Sequence, residues 1–272
     1  MRLSFLIVVV SAACVTGCVT ETLPQHPWLG KTVAFLGDSI PDPNHIGTTR
    51  NYWQDLEVLT GLKAEVFAVS GQCWAQMPNM ADKMEEKVGK NVDAILIFTG
   101  TNDFNGGVPL GKWYEVVDAQ ANRNGQMVTL PKRTMSADPK TVRGCINRTM
   151  ARLKAGYPNA QIILLTPIHR AFAQFGPTNV QPDESFPNKV GLYVDSYVEV
   201  VKEAGNVWAV PVIDLNAESG LYPLSKSFVK YFHHAPDDLL HPNAAGHLRI
   251  AKTIAMRLTA LPPGFSEEEE GK

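Results

Sequence analysis

The chain has 272 residues, 44% of them apolar and 19% charged, with a formal net charge of −2. That length suits one α/β domain whose core is large enough to fold without disulfides or metals. With no positive balance and no basic stripe interleaved with aromatics, nucleic acid is excluded as a partner.

Arg2 precedes an apolar run, Leu3 to Ala13, too short for a mature membrane span and right for the core of an export signal. The run ends in Val15-Thr16-Gly17-Cys18, which resembles a bacterial lipobox. Residues 1–17 are therefore expected to be a signal peptide and Cys18 to carry acyl chains. An exported lipoprotein, periplasmic or on the cell surface, would follow, with the membrane as a partner through Cys18. Residues 18–30, with Pro24 and Pro27, read as the tether, and residues 31–263 as the folded domain. Residues 264–272, with four consecutive glutamates, read as an acidic solvated tail. No other stretch reaches 18 consecutive apolar residues, so no internal membrane helix is expected.

Short apolar runs then alternate with helical patterns, the mark of βαβ units around a parallel sheet. The expected strands are 32–36, 64–69, 94–98, 161–165 and 207–213, the last shortened and pushed to an edge by Pro211. Expected helices span 52–60, ending at Gly61, then 139–156 after an Asp138 cap, 189–204 and 243–259. The second carries an apolar stripe at Val142, Ile146, Met150 and Leu153, and the last at Ala244, Leu248, Ala251, Ala255 and Leu258. Two long excursions interrupt the pattern. Residues 104–137 hold Asn124-Gly125, a tight hairpin turn, and residues 216–236 precede the final helix. Of the four cysteines, Cys73 and Cys145 remain in the domain; Cys145 lies on an apolar helix stripe and reads as a buried thiol, with a bridge to Cys73 the alternative.

Chemistry gathers where strands end. The first runs into Gly37-Asp38-Ser39-Ile40, the second into Ser70-Gly71-Gln72 and the third into Gly100-Thr101-Asn102-Asp103. In a parallel α/β sheet these ends share one edge, outside which ligands bind. Asp238-Leu239-Leu240-His241 arrives just before the last helix. Acyl transfer needs such groups: a hydroxyl nucleophile, an imidazole to take its proton, a carboxylate to orient the imidazole, and N–H donors for the oxyanion. Ser39, His241 and Asp238 fit the first three roles, and the N–H groups of Ser39 and Gly71 with the Asn102 amide fit the last.

These four blocks, in this order across residues 37–241, resemble those of the SGNH, or GDSL-type, hydrolases. The resemblance implies a serine esterase with a flavodoxin-like three-layer α/β/α sandwich and a five-stranded parallel sheet. It also implies Ser39 as nucleophile, Gly71 and Asn102 as oxyanion donors, His241 as base and Asp238 as its acid, with no cofactor. Asp38, Asp103 and Asp214 read as structural, and Asp237 lacks the three-residue spacing to His241.

His233, His234, Asp237, Asp238 and His241 match no common zinc spacing, so no metal is expected. His169 and Arg170 follow the fourth strand onto the active rim and are candidate substrate contacts, as are Trp74 and Trp113 for sugar stacking. The polar excursion at 104–137 favours short acyl esters, O-acetyl on carbohydrate above all. The alternatives are a lipase or lysophospholipase, an acyltransferase and a non-catalytic glycan-binding module.

Overall fold

A computed structural model describes residues 25–265. The elements in chain order begin β1 (Thr32–Gly37), α1 (Tyr52–Thr60), β2 (Lys63–Ala68), α2 (Met77–Val88), β3 (Ala94–Phe98) and α3 (Thr101–Asn105). A hairpin follows, β4 (Tyr114–Arg123) and β5 (Gln126–Met135), then α4 (Val142–Gly156) and β6 (Gln161–Leu165). After two short strands, β7 (Ala173–Gly176) and β8 (Asn179–Gln181), come α5 (Val194–Trp208), β9 (Val212–Ile213) and α6 (Leu215–Glu218). The chain closes with β10 (Phe232–His234), β11 (Asp238–Pro242) and α7 (Ala244–Leu258).

The central sheet has the order β2-β1-β3-β6-β9, every pair parallel. Side chains alternate across it because the strand period is two. Ala34, Leu36, Ile95, Ile97, Ile162 and Leu164 face the layer formed by α2, α4 and α5. Val33, Phe35, Leu96, Phe98, Ile163 and Leu165 face α1 and α7 on the other side. Both faces are covered, which is why the strands read as unbroken apolar runs. Each fully buried side chain of this kind contributes roughly 1.5–3 kcal/mol. The result is the expected three-layer α/β/α sandwich.

Local chemistry sets most boundaries. Gly61 takes φ +73°, a left-handed cap on α1. Asn124 and Gly125 both have positive φ, +54° and +84°, as a two-residue hairpin turn requires. Thr141, not Asp138, caps α4: its side chain accepts the Gly144 N–H, so the helix starts at Val142. The expected strand at 207–213 shrinks to Val212–Ile213, because the apolar face of α5 continues through Val207 and Trp208. Its edge position and Pro211 agree with the sequence.

On α7 the buried face is His247, Ile250, Ala251, Ile254 and Leu258, while Leu248 is exposed. Alanines at the expected positions discriminate poorly; the two isoleucines decide which face goes in. The α2 helix was not expected at all, though Met77, Met80, Ala81 and Met84 form its buried stripe. Trp28, in the supposed tether, is fully buried, and its indole N–H donates to the Leu258 and Leu261 carbonyls. The domain therefore begins before residue 31. The expected signal peptide, the expected lipidation site Cys18 and residues 266–272 of the tail lie outside the described residues. Cys73 and Cys145 are free thiols. Among the described residues no helix is long and apolar enough to cross a membrane.

Candidate active site

Because β1 and β3 are neighbours and the chain leaves them in opposite directions along the sheet, a crevice opens at their carboxyl ends. Ser39 stands just past β1, Gly71 past β2 and Asn102 at the start of α3, past β3. The fourth piece arrives on β11, which belongs to a separate antiparallel sheet of order β10-β11-β7-β8 laid over this edge.

That second sheet delivers His241. Its Nε2 lies 2.9 Å from Ser39 Oγ, and its Nδ1 lies 3.0 Å from Asp238 Oδ2. A carboxylate only accepts, so Nδ1 carries the proton toward Asp238 and Nε2 is free to accept from the serine hydroxyl. Asp238 Oδ1 also accepts the backbone N–H groups of His241 and Leu240, at 3.0 and 3.2 Å. Burial works against the Asp238 charge, but the hydrogen bonds and charge of His241 outweigh it and hold the carboxyl below its ordinary value.

Among the described residues the backbone N–H groups of Ser39 and Gly71 donate to no protein acceptor. Gly71 has φ +83° and open space where a Cβ would stand, so the backbone itself faces the crevice. Asn102 donates one amide hydrogen to the Gln72 carbonyl at 3.0 Å, which leaves its other N–H unused. Asp42 accepts the Ser70 N–H at 2.6 Å and ties the Gly71 loop to the turn after β1. Two further carboxyls sit beneath. Burial raises Asp38 to about 7 against a hydrogen bond from Ile40, and raises Asp103 to about 7 against the Trp74 N–H. Both act on loops, as their sequence context suggested.

Residues 35–249 match the model of the GDSL-like lipase/acylhydrolase family. The chain belongs to that family. It is thereby a carboxylic ester hydrolase. A protein of Lactobacillus plantarum shares the fold at 22% identity and a TM-score of 0.66, the match covering 85% of this chain and 98% of that one. A possible lipase from Chitinophaga pinensis does so at 21% identity and 0.63, over 85% and 98%. An α/β hydrolase from the metagenome of Lake Arreo follows at 17% and 0.50, over 85% and 96%. No curated protein matches the chain.

In this GDSL hydrolase a cleft of about 500 Å³ opens over Ser39 and His241. None of the four expected substrate contacts lines it. Trp74 is fully buried, its backbone tied to Asp103, and cannot stack on a sugar. Trp113 packs at the edge of the core, and its indole N–H donates to Glu203 on α5. His169 pairs with Glu184 and meets the Tyr222 ring edge-on. Arg170 is 1% exposed, its guanidinium turned inward onto Thr101, Gln181 and the face of Phe104.

The walls come instead from segments that sequence reasoning passed over: Ile46 and Gly47 before α1, and Gln174, Phe175, Asn179 and Gln181 on the β7–β8 arm. The Phe175 ring lies 5.2 Å from that of His241. Short irregular strands leave little periodicity, so only the polar Gln/Asn spacing could have marked them. Asp237 pairs with His234, apart from His241. Among the described residues no group of three or more His, Cys, Asp or Glu could hold a metal ion.

Proposed function

We propose that this GDSL hydrolase removes short acyl groups, O-acetyl above all, from carbohydrate through an acyl-enzyme on Ser39. One observation carries the reading: the unbroken hydrogen-bonded line Asp238–His241–Ser39, set beside N–H groups that have no other acceptor among the described residues. Ser39 Oγ attacks the ester carbonyl as its proton passes to His241 Nε2, and Asp238 stabilises the imidazolium. The oxyanion accepts from the N–H groups of Ser39 and Gly71 and the spare amide hydrogen of Asn102. Collapse breaks the ester C–O bond, and His241 returns its proton to the leaving alkoxide. Water, deprotonated by the same imidazole, then releases the acyl group as a carboxylate.

The cleft favours a polar alcohol. Ser70, Gln174, Asn179 and Asp237 line it, with Ile46, Phe175 and Leu240 as separate apolar contacts, whereas a long acyl chain needs a continuous apolar groove. The lipobox-like Val15–Cys18 supports the further reading that the enzyme is exported and membrane-anchored through acylated Cys18.

The test is p-nitrophenyl acetate hydrolysis by the wild type and Ser39→Ala. The variant should lose at least about 10³-fold in kcat; equal rates would overturn the mechanism. Across p-nitrophenyl esters from C2 to C12 the rate should peak at the short end. A preference for long chains would overturn the carbohydrate reading, and so would inert acetylated oligosaccharides. Palmitate labelling that survives Cys18→Ala would overturn the anchor.

A further inference from the structure

The geometry points to a leaving-group subsite on the β7–β8 arm, in which Asn179 presents a hydrogen-bond donor whose orientation is dictated by buried Arg170 through Gln181. The assignment rests on the esterase reading above and adds to it which part of the substrate is read, and by what chemistry.

Three side chains form a one-way relay. The Arg170 guanidinium has only donors, and its Nη2 donates to Gln181 Oε1. Its other fork atom, Nη1, donates to Thr101 Oγ1 at 3.1 Å, on the residue before Asn102. The Gln181 oxygen must therefore face the arginine, which turns its NH2 outward, and Nε2 donates to Asn179 Oδ1 at 2.9 Å. Were Asn179 reversed, two NH2 groups would face each other. So the Asn179 oxygen points inward and, among the described residues, its own NH2 is left without a partner. Gln181 and Asn179 share one face of β8, two residues apart, and both line the cleft that holds Ser39 and His241.

Arg170 and Gln181 are buried while Asn179 is exposed. A buried cation thus sets the polarity of a surface amide. The ligand chemistry this fits is a neutral oxygen acceptor, an ether or hydroxyl oxygen, on the alcohol half of the ester. Arg170 is a positioning residue here rather than a substrate contact.

An isosteric pair of acetates reads the subsite directly. 2-Methoxyethyl acetate carries an ether oxygen where butyl acetate has a methylene, and neither is a sugar. The wild type should favour the ether in kcat/KM by on the order of three- to tenfold, the worth of one neutral hydrogen bond. Asn179→Ala should bring that ratio to about one. Gln181→Glu should do the same with Asn179 still in place. A carboxylate accepts from both Arg170 and Asn179, so the asparagine reverses and turns its oxygen to the cleft. A wild-type ratio near one, or an unchanged ratio in either variant, overturns the subsite. Because both acetates depend on Ser39 alone, a failed esterase reading would show as the absence of any Ser39-dependent turnover. A failed carbohydrate reading would leave the ratio intact.

Discussion

Gly47 lies so close to His241 that a methyl group on it would stand 2.6 Å from the His241 Cβ and 3.2 Å from that of His233. Its φ of +73° is also one that a side chain resists. The loop before α1 is thus a wall for the imidazole. Gly47→Ala should push His241 off Ser39, and a displacement of about 1 Å at a reacting group costs on the order of 10² in rate. Steady-state hydrolysis of p-nitrophenyl acetate, with circular dichroism to check folding, measures this. Near-wild-type kcat would mean that the wall is not needed.

Asn102 should act in the transition state. Its amide is already held by Gln72, so Asn102→Ala removes a pre-positioned donor together with that tie, while Asp42 still holds the loop through the Ser70 N–H. The expected loss is on the order of 10²–10³ in kcat, with KM little changed. A rise confined to KM would place Asn102 in ground-state binding instead.

Asp38 and Asp103 make stability depend on pH in an unusual direction. Burial raises each to about 7, so the folded protein holds protons there that the unfolded chain has released by about pH 5. Stability from these groups falls as pH rises from about 4 through 7 and then levels off. Buried His247, lowered to about 3 by burial and then by the charges of His241 and His45, works the other way. It adds stability as pH rises from about 3 to 6.5. The difference between the wild type and Asp103→Asn isolates the first effect. The variant should gain Tm relative to the wild type between pH 5 and 8; parallel curves would count against a proton held at Asp103.

Trp74 offers a test of the corrected sugar-stacking expectation. Among the described residues its buried Nε1 has no hydrogen-bond partner, and an unmet buried donor costs about 1–3 kcal/mol. Trp74→Phe sheds that donor while keeping an aromatic ring in the core. The cavity left by the smaller ring offsets the shed donor, so thermal unfolding should show a net change of less than about 1.5 kcal/mol, with KM on acetylated oligosaccharide unaltered. A KM rise for the sugar alone would return Trp74 to the substrate.

The amino-acid order by itself determined the sheet and the blocks at its edge. Runs such as Ala94–Phe98 are apolar without interruption, and only a strand covered on both faces needs that. Parallel topology then carries Ser39, Gly71 and Asn102 to one rim whatever the details, so their convergence could be read without coordinates. What only the tertiary structure decided is where the polar residues face. Arg170 and Trp74 look like surface groups in a sequence, since nothing local tells a buried guanidinium from a solvated one. Long-range partners such as Thr101, Gln181 and the Phe104 ring turn Arg170 inward. The β7–β8 arm has too few residues for a period to show, and it becomes a cleft wall only because β11 pairs with it in space. Periodicity records which face of an element is apolar; the partners of a charge lie far along the chain, and only folding brings them to it.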